Sequence, residues 1–438
     1  MMNSTYKLQA GFAALWTCAA SFAADPSSSE ETWNFHAQTT EIWQSKPAFA
    51  AKYSGFNSLN PSAERSHSVS ATAAIGWRAW QGGEVYFNPE LIQLAPFSGV
   101  TGLGGYPNGE VLRNTAAHAK GYVSRLFARQ TWNFGGNKEE VESDFNQLAG
   151  TVSARRLVVT VGRLSVDDLF DDNNFSHDPR SQFMNWSIMN AGSYDFAADD
   201  RGVASGAAVE WWWDDWAVRF ARFALPKTVE RPFLDGNPLK QYSDQIELER
   251  GYEIFGQAGR ARWLIFHNRA LLARYSDALS SPSTPNLDVV RSKVNDKWGW
   301  GVNLEQKLTR HLGAFARLNS ADGKTEVLSY AEIDRSASVG LSVEGAAWKR
   351  KGDVLGVALA RNDLSDVHRE YLRRGGVGLL LGDGRLSYRA EQVFEAYYAW
   401  QPVKSMTLTA DWQKIRNPGF NADRGPVTVA SLRLHAEF

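Results

Sequence analysis

Charged residues in this 438-residue sequence recur inside segments where polar and apolar side chains alternate, and they offer the most chemistry. Arg78, Arg125, Arg129, Arg219, Arg262 and Arg317 fall on the polar parity of such segments, as do Glu84, Glu90, Glu344 and Asp411. A guanidinium carries five N–H donors and an ionised carboxylate only accepts, so a wall bearing both can hydrogen-bond a neutral polar solute strongly. The same residues also suit a plainer task, cross-strand bracing by opposite charges. Catalytic patterns are missing: neither His-Glu-x-x-His nor Gly-x-Ser-x-Gly occurs. The acids Asp167, Asp168, Asp171, Asp172 and Asp178 lack the ligand spacing and sharp-turn glycine of a helix–loop–helix calcium site. Gly102, Gly104, Gly105 and Gly109 lack the strand and helix that would make them a phosphate cradle. The expectation is therefore no catalytic residue, no metal and no cofactor.

Elements that could position those charges are bounded by composition. Residues 1–24 read as a cleaved export signal, with Lys7, an apolar run from Leu8 to Ala20, and small residues at Ser21-Phe22-Ala23-Ala24. The run is too short for a membrane-spanning helix. Loss of this segment removes Cys18, the one cysteine, and with it disulfide and thiol chemistry. It also removes Lys7, taking the formal charge from −1 to −2, which does not suit a nucleic-acid binder. Residues 25–31 are expected to form a mobile leader, and 32–438 one folded unit. No later stretch is apolar enough for a spanning helix, yet Trp, Tyr, Phe and Gly are abundant.

Alternation then sets the fold class. In 404–416, Met406, Leu408, Ala410 and Trp412 share one face, opposite Thr407, Thr409, Asp411 and Gln413. The same period of two runs through 33–40, 67–80 and 337–344. A strand with lipid on one side and water on the other needs this pattern. Sixteen such strands are expected, including 122–134 and 337–348, joined alternately by tight turns and by long loops such as 95–121, 165–202 and 363–389. The reading is an all-β transmembrane antiparallel barrel with short turns at the periplasmic end and long extracellular loops. Residues 427–438 put Leu432, Leu434, Ala436 and Phe438 on one face, a terminal signal suited to outer-membrane assembly machinery. Trp211, Trp212 and Trp213 are expected in an interfacial girdle.

Several motifs in order carry a resemblance. Phe35-His36-Ala37-Gln38-Thr39-Thr40 with Trp43-Gln44, Glu84-Val85-Tyr86-Phe87-Asn88-Pro89-Glu90, and Asp168-Leu169-Phe170-Asp171-Asp172-Asn173 come first. Asp178-Pro179-Arg180-Ser181-Gln182-Phe183-Met184-Asn185-Trp186, Asp199-Asp200-Arg201-Gly202 and Arg424-Gly425-Pro426-Val427 follow. Over Trp33 to Phe438 the chain resembles the carbohydrate-selective (OprB-type) porins. The resemblance implies an outer-membrane barrel whose loops fold partly into the lumen, and passive entry of monosaccharides and similar small sugars into the periplasm. Desolvating a hydroxyl-rich sugar must be offset by donors and acceptors along its path. The ten lumenal charges named above are the expected wall contacts, and mixed signs would hold hydroxyls without strong ion selection. If 165–202 folds inward, Asp171, Asn173, Asp178, Arg180, Asn185 and Trp186 are the expected constriction residues, unless the loop simply packs on the wall. Expected partners are small sugars, outer-membrane lipid and lipopolysaccharide, whose phosphates Arg373 and Arg374 could meet. The alternatives are a barrel enzyme and a general diffusion or structural barrel without sugar selectivity.

Overall fold

The computed structural model describes residues 30–111, 116–227, 234, 237–329 and 332–438. The expected signal segment lies outside these. Of the expected leader, 25–29 also lie outside, whereas Glu30 and Glu31 are held by the barrel. Arg78 ion-pairs with Glu30 at 3.2 Å and donates to the Glu31 carbonyl at 2.9 Å, while the Glu31 carboxylate accepts from Ala149 N–H.

Sixteen antiparallel strands close into a barrel, each pairing with its sequence neighbours. They are β1 (Trp33–Lys46), β2 (Glu64–Trp80), β3 (Gly83–Ala95), β4 (Ala116–Val141), β5 (Gly150–Leu164), β6 (Ala204–Trp213), β7 (Trp216–Ala224) and β8 (Tyr242–Ile254). The second half comprises β9 (Gln257–Leu271), β10 (Val294–Thr309), β11 (Leu312–Ala321), β12 (Arg335–Glu344), β13 (Val354–Asp363), β14 (Glu391–Val403), β15 (Met406–Arg416) and β16 (Val427–Glu437). The ring shuts where β1 meets β16, with Gln38 opposite Glu437 and Ser45 opposite Ala430. Closure leaves no sheet edge and satisfies every ladder inside a bilayer.

Several strand bounds differ from the sequence expectation, and two of the differences have a plain physical cause. β4 extends to 116–141 because register shifts between Asn133 and Lys138, around Gly135 and Gly136 at positive φ, let the chain bend and keep pairing with β5. The strand expected to reach 348 stops at Glu344, since Gly345–Trp348 tightens into a 3-10 turn ending on left-handed Lys349.

Turns at one end are tight, as at 214–215, 255–256, 310–311 and 404–405. Loops at the other are long, with 165–203, 272–293 and 364–390 the largest. By that asymmetry the first end is periplasmic and the second extracellular. The outer wall is apolar: Val161, Leu318, Val339 and Leu359 stand exposed between inward-facing polar side chains. Trp211 and Trp213 are half exposed beside the 214–215 turn and meet edge to face at 6.1 Å, as an interfacial girdle requires. Trp212 takes the opposite parity and departs from the girdle reading. Its ring lies inside, with Arg156 at 4.3 Å and Arg219 at 4.8 Å over it.

Four short helices cap or plug the barrel among the described residues: α1 (Trp186–Met189), α2 (Tyr275–Leu279), α3 (Leu287–Val290) and α4 (Asp366–Arg373). In the outer cap, His368 of α4 is buried against Asp334 (3.0 Å) and Glu332 (3.4 Å) and stacks on Tyr275 at 4.3 Å.

Candidate functional site: the lumenal constriction

The loop joining β5 to β6 turns into the barrel and spans it. Asp171, in the left-handed region at φ 58°, is where it docks on the far wall. Its carboxylate accepts from Arg317 Nε (3.1 Å), Asn303 Nδ2 (2.7 Å) and Ala191 N–H (2.6 Å). Arg317 spends its remaining donors on the carbonyls of Ile188 (2.9 Å), Asp171 (3.2 Å) and Ser176 (2.6 Å). Asn173 donates to Asn303 Oδ1 at 2.7 Å. Farther along, Glu395 accepts from Met184 N–H (2.5 Å) and Asn185 N–H (3.0 Å), and Arg433 donates to the carbonyls of Pro179 and Gln182. Asn185 caps α1 by accepting from Ser187 N–H and reaches Gln413 at 3.0 Å. A buried salt bridge, Lys297 to Asp195 at 3.0 Å, fixes the return limb. Such buried charges persist because every one meets a partner.

The loop at 96–111 also turns inward and lies against the first. Trp186 N–H donates to the Tyr106 carbonyl at 2.8 Å, and Gly109 N–H to that of Met184 at 2.8 Å. Gly104 and Gly105 N–H both donate to Glu391. A Cβ on Gly105 would sit 2.7 Å from Ser187 Oγ, so the two loops meet at glycine distance.

Between these loops and strands β3 and β4 lies a cavity of about 300 Å³. Glu90, Arg125, Asp178, Arg180 and Trp186 line it, joined by Glu110, Tyr122, Asp168, His177 and Arg201. Arg180 stands at the centre, donating to Glu110 (2.8 Å) and Glu90 (3.3 Å). Burial alone would lower its pKa, but Glu110, Glu90 and Asp178 raise it further, so it stays cationic. Burial pushes Asp178 up, yet Arg180 outweighs it and holds the carboxyl below the usual range. Asp167, with weaker compensation from His177, is pushed up to about 6 by burial. Arg125 grips Asp168 through two nitrogens at 2.7 and 2.5 Å. Glu90 also accepts from Thr72 at 2.6 Å and from the Tyr122 hydroxyl. Arg201 covers the Tyr122 ring at 4.6 Å, and Trp186 stacks on Phe196 at 5.9 Å. The result is a polar chamber of both signs with aromatic faces.

The remaining sequence candidates sit elsewhere. Arg219 is buried among Glu210, Glu247 and Glu249 at 2.9–3.1 Å, and Arg262 among Glu249, Asp172 and Glu305. These form a charge ladder bracing β6 to β10 rather than an accessible surface. Arg317 has the expected inward parity but lies beneath the loop, and the expected constriction residues Asp171, Asn173 and Asn185 face the wall and hold the loop to it. Asp411 is likewise buried, accepting from Gln413 and Ser431. Arg78, Glu84 and Arg129 cluster near the periplasmic end, where Arg78 and Arg129 reach Glu84 at 3.5 and 3.9 Å. Glu344 faces His311 there at 3.5 Å. Arg373 is exposed beside Glu370 (2.6 Å), and Arg374 donates to the carbonyls of Leu279 and Ser281. Glu110, Tyr122, Asp168, His177 and Arg201 were missed as site residues. None carried a usable signal: Tyr122 faces inward only because a register shift opposite Asn88 and Pro89 reverses the parity set by Arg125, and the others depend on loop paths.

A closed barrel of sixteen strands, apolar outside, charged inside and narrowed by inward loops, defines an outer-membrane porin. Residues 71–438 match the family model described as carbohydrate-selective porin, OprB family. The chain belongs to the OprB family of carbohydrate-selective porins, channels of the outer membrane. Among solved structures, the high-pH form of Pseudomonas putida OprB aligns with a TM-score of 0.71 at 17% identity, covering 93% of this chain and 94% of that one. The outer membrane channel DcaP of Acinetobacter baumannii aligns at 0.51 and 9% identity, covering 93% and 97%. No curated protein matches.

Proposed function

We propose that the chamber around Arg180 is the selectivity site, and that it passes neutral sugars of monosaccharide size by diffusion without chemical conversion. The observation that carries this is the convergence of Arg125, Arg180, Glu90, Glu110 and Asp178 on one small cavity beside Tyr122 and Trp186. Donors and acceptors together replace the hydration of successive hydroxyls, while the aromatic faces meet the apolar C–H side of a sugar ring. Near-balanced charge avoids strong binding of any ion, and the carboxylates hold the guanidiniums in fixed orientation. Conduction also requires release, so affinity for sugar must be low. We further propose that residues 1–24 are removed on export and that the apolar outer wall meets lipid and lipopolysaccharide.

Liposome swelling with a size series of neutral sugars tests the reading. Fast entry of monosaccharides, steep loss with size, and sugar block of single-channel current support it. Equal entry of sugars and of size-matched polyols or amino acids would replace it with general diffusion. Breakdown of a lipid or ester substrate by the folded barrel would replace it with an enzyme.

A further inference from the structure

The outer wall carries a second built feature, on the face turned away from the channel. A groove of about 720 Å³ runs over the extracellular halves of β12 to β15. Register places Arg361, Gln392 and Arg416 side by side on one row. On the next row toward the membrane centre stand Leu359, Phe394 and Lys414. Below them Trp412 meets the Phe394 ring edge to face at 5.6 Å. The groove is thus apolar at its membrane end and cationic at its outer rim.

Its charge is not balanced by protein. Arg361 holds Asp363 at 2.8 Å, but Lys414 and Arg416 have no carboxylate partner among the described residues. Two other outward arginines at the same end are compensated, Arg222 by Asp244 at 2.7 Å and Arg269 by Asp296 at 3.3 Å. A cation on the lipid face is costly at the midplane and tolerated near the interface. Two neighbouring cations there, above an apolar trough, complement an anionic head on acyl chains. Arg361 and Arg416 stand two strand spacings apart, about 10 Å, within reach of one phosphorylated headgroup.

We propose that this groove is a specific site for a phosphorylated, multiply acylated glycolipid of the outer leaflet, the lipid A part of lipopolysaccharide. Lys414 and Arg416 bind phosphate, and the trough of Leu359, Phe394 and Trp412 receives an acyl chain. The inference rests on the outer-membrane placement of the barrel and not on sugar passage.

The test uses the barrel refolded without lipid, its folding checked by heat-modifiable mobility, and titrated with bisphosphorylated lipid A in detergent. Native mass spectrometry reads retained glycolipid. Wild type is expected to keep one molecule. Lys414→Gln with Arg416→Gln should weaken retention at least tenfold, as should Val339→Trp, which fills the trough and leaves the cations. Arg222→Gln should bind as wild type, and dephosphorylated lipid A should bind wild type at least tenfold more weakly. Equal retention by wild type and both groove variants overturns the site, as does retention indifferent to phosphate. Variants that alter association between barrels and leave lipid retention unchanged also overturn it, in favour of a second copy as occupant. Sugar swelling on the same preparations separates the two readings: its loss with lipid retention intact refutes the channel proposal alone.

Discussion

Arg317→Met should release the constriction loop without unfolding the barrel. The guanidinium is fully buried and makes four hydrogen bonds to the loop, one to the Asp171 carboxylate and three to carbonyls of Ile188, Asp171 and Ser176. Methionine fills much of the volume and supplies no donor, so a buried carboxylate loses its cation. Breaking a buried pair this way costs about 3–5 kcal/mol. At about 1.4 kcal/mol per tenfold, the docking equilibrium shifts by roughly 10² to 10³ or a little more. Ladder hydrogen bonds of β11 to β10 and β12 are untouched, so the cost falls on the loop. Single-channel recording should show larger, noisier current, swelling assays should admit larger sugars, and proteases should cleave within 165–203. Arg317→Lys, which keeps charge with fewer donors, should lie between. A variant with normal conductance, size limit and protease resistance would refute the view that Arg317 is what fastens this loop.

Arg180→Gln should leave Glu90, Glu110 and Asp178 undercompensated, so reversal potentials in a salt gradient should shift toward cation preference and monosaccharide entry should slow several-fold. His368 is pushed down by burial but raised more strongly by Asp334 and Glu332, to about 9. Its contribution to cap stability is therefore complete below about 6.5, the unfolded value, and lost as pH rises through about 9. Hydrogen exchange in 365–390 should accelerate over that window, and His368→Gln should flatten the profile. Asp334, held below the usual carboxylate range despite burial because of His368, predicts the opposite limit: its contribution is lost only as pH falls below the ordinary carboxylate pKa. Asp167, raised to about 6 by burial, makes loop docking strongest in acid and weaker as pH passes that value. Asp167→Asn should remove this dependence, read as protease resistance of 165–203 at pH 5 against pH 8.

Strands were legible because lipid and water impose a period of two, and that constraint acts residue by residue. Parity also placed Arg219, Arg262 and Arg317 inward, as found. What parity cannot convey is whether the inward side meets water or a folded loop. Arg125 and Arg317 share the same local pattern, yet one lines the chamber and the other lies beneath Asp171. That distinction follows from the three-dimensional path of 165–203, fixed by partners 76 to 254 residues away, such as Glu247 and Arg433. Arg374 teaches the same lesson on the outside. Its guanidinium turns to the carbonyls of Leu279 and Ser281 at the end of α2, contacts that no local pattern announces.

The crossing loop also has a bearing on biogenesis. Its anchors lie on β8, β10, β11, β14, β15 and β16, while it springs from β5 and rests through Arg180 on β3. The seam joins residues about as far apart as the chain allows, Thr40 and His435 hydrogen-bonding at 2.8 Å across a separation of 395. An open, half-rolled sheet cannot offer those anchors together, so the loop reaches its full set of partners only on a cylinder that has closed. Narrowing of the throat is thereby tied to closure of the cylinder and cannot come before it.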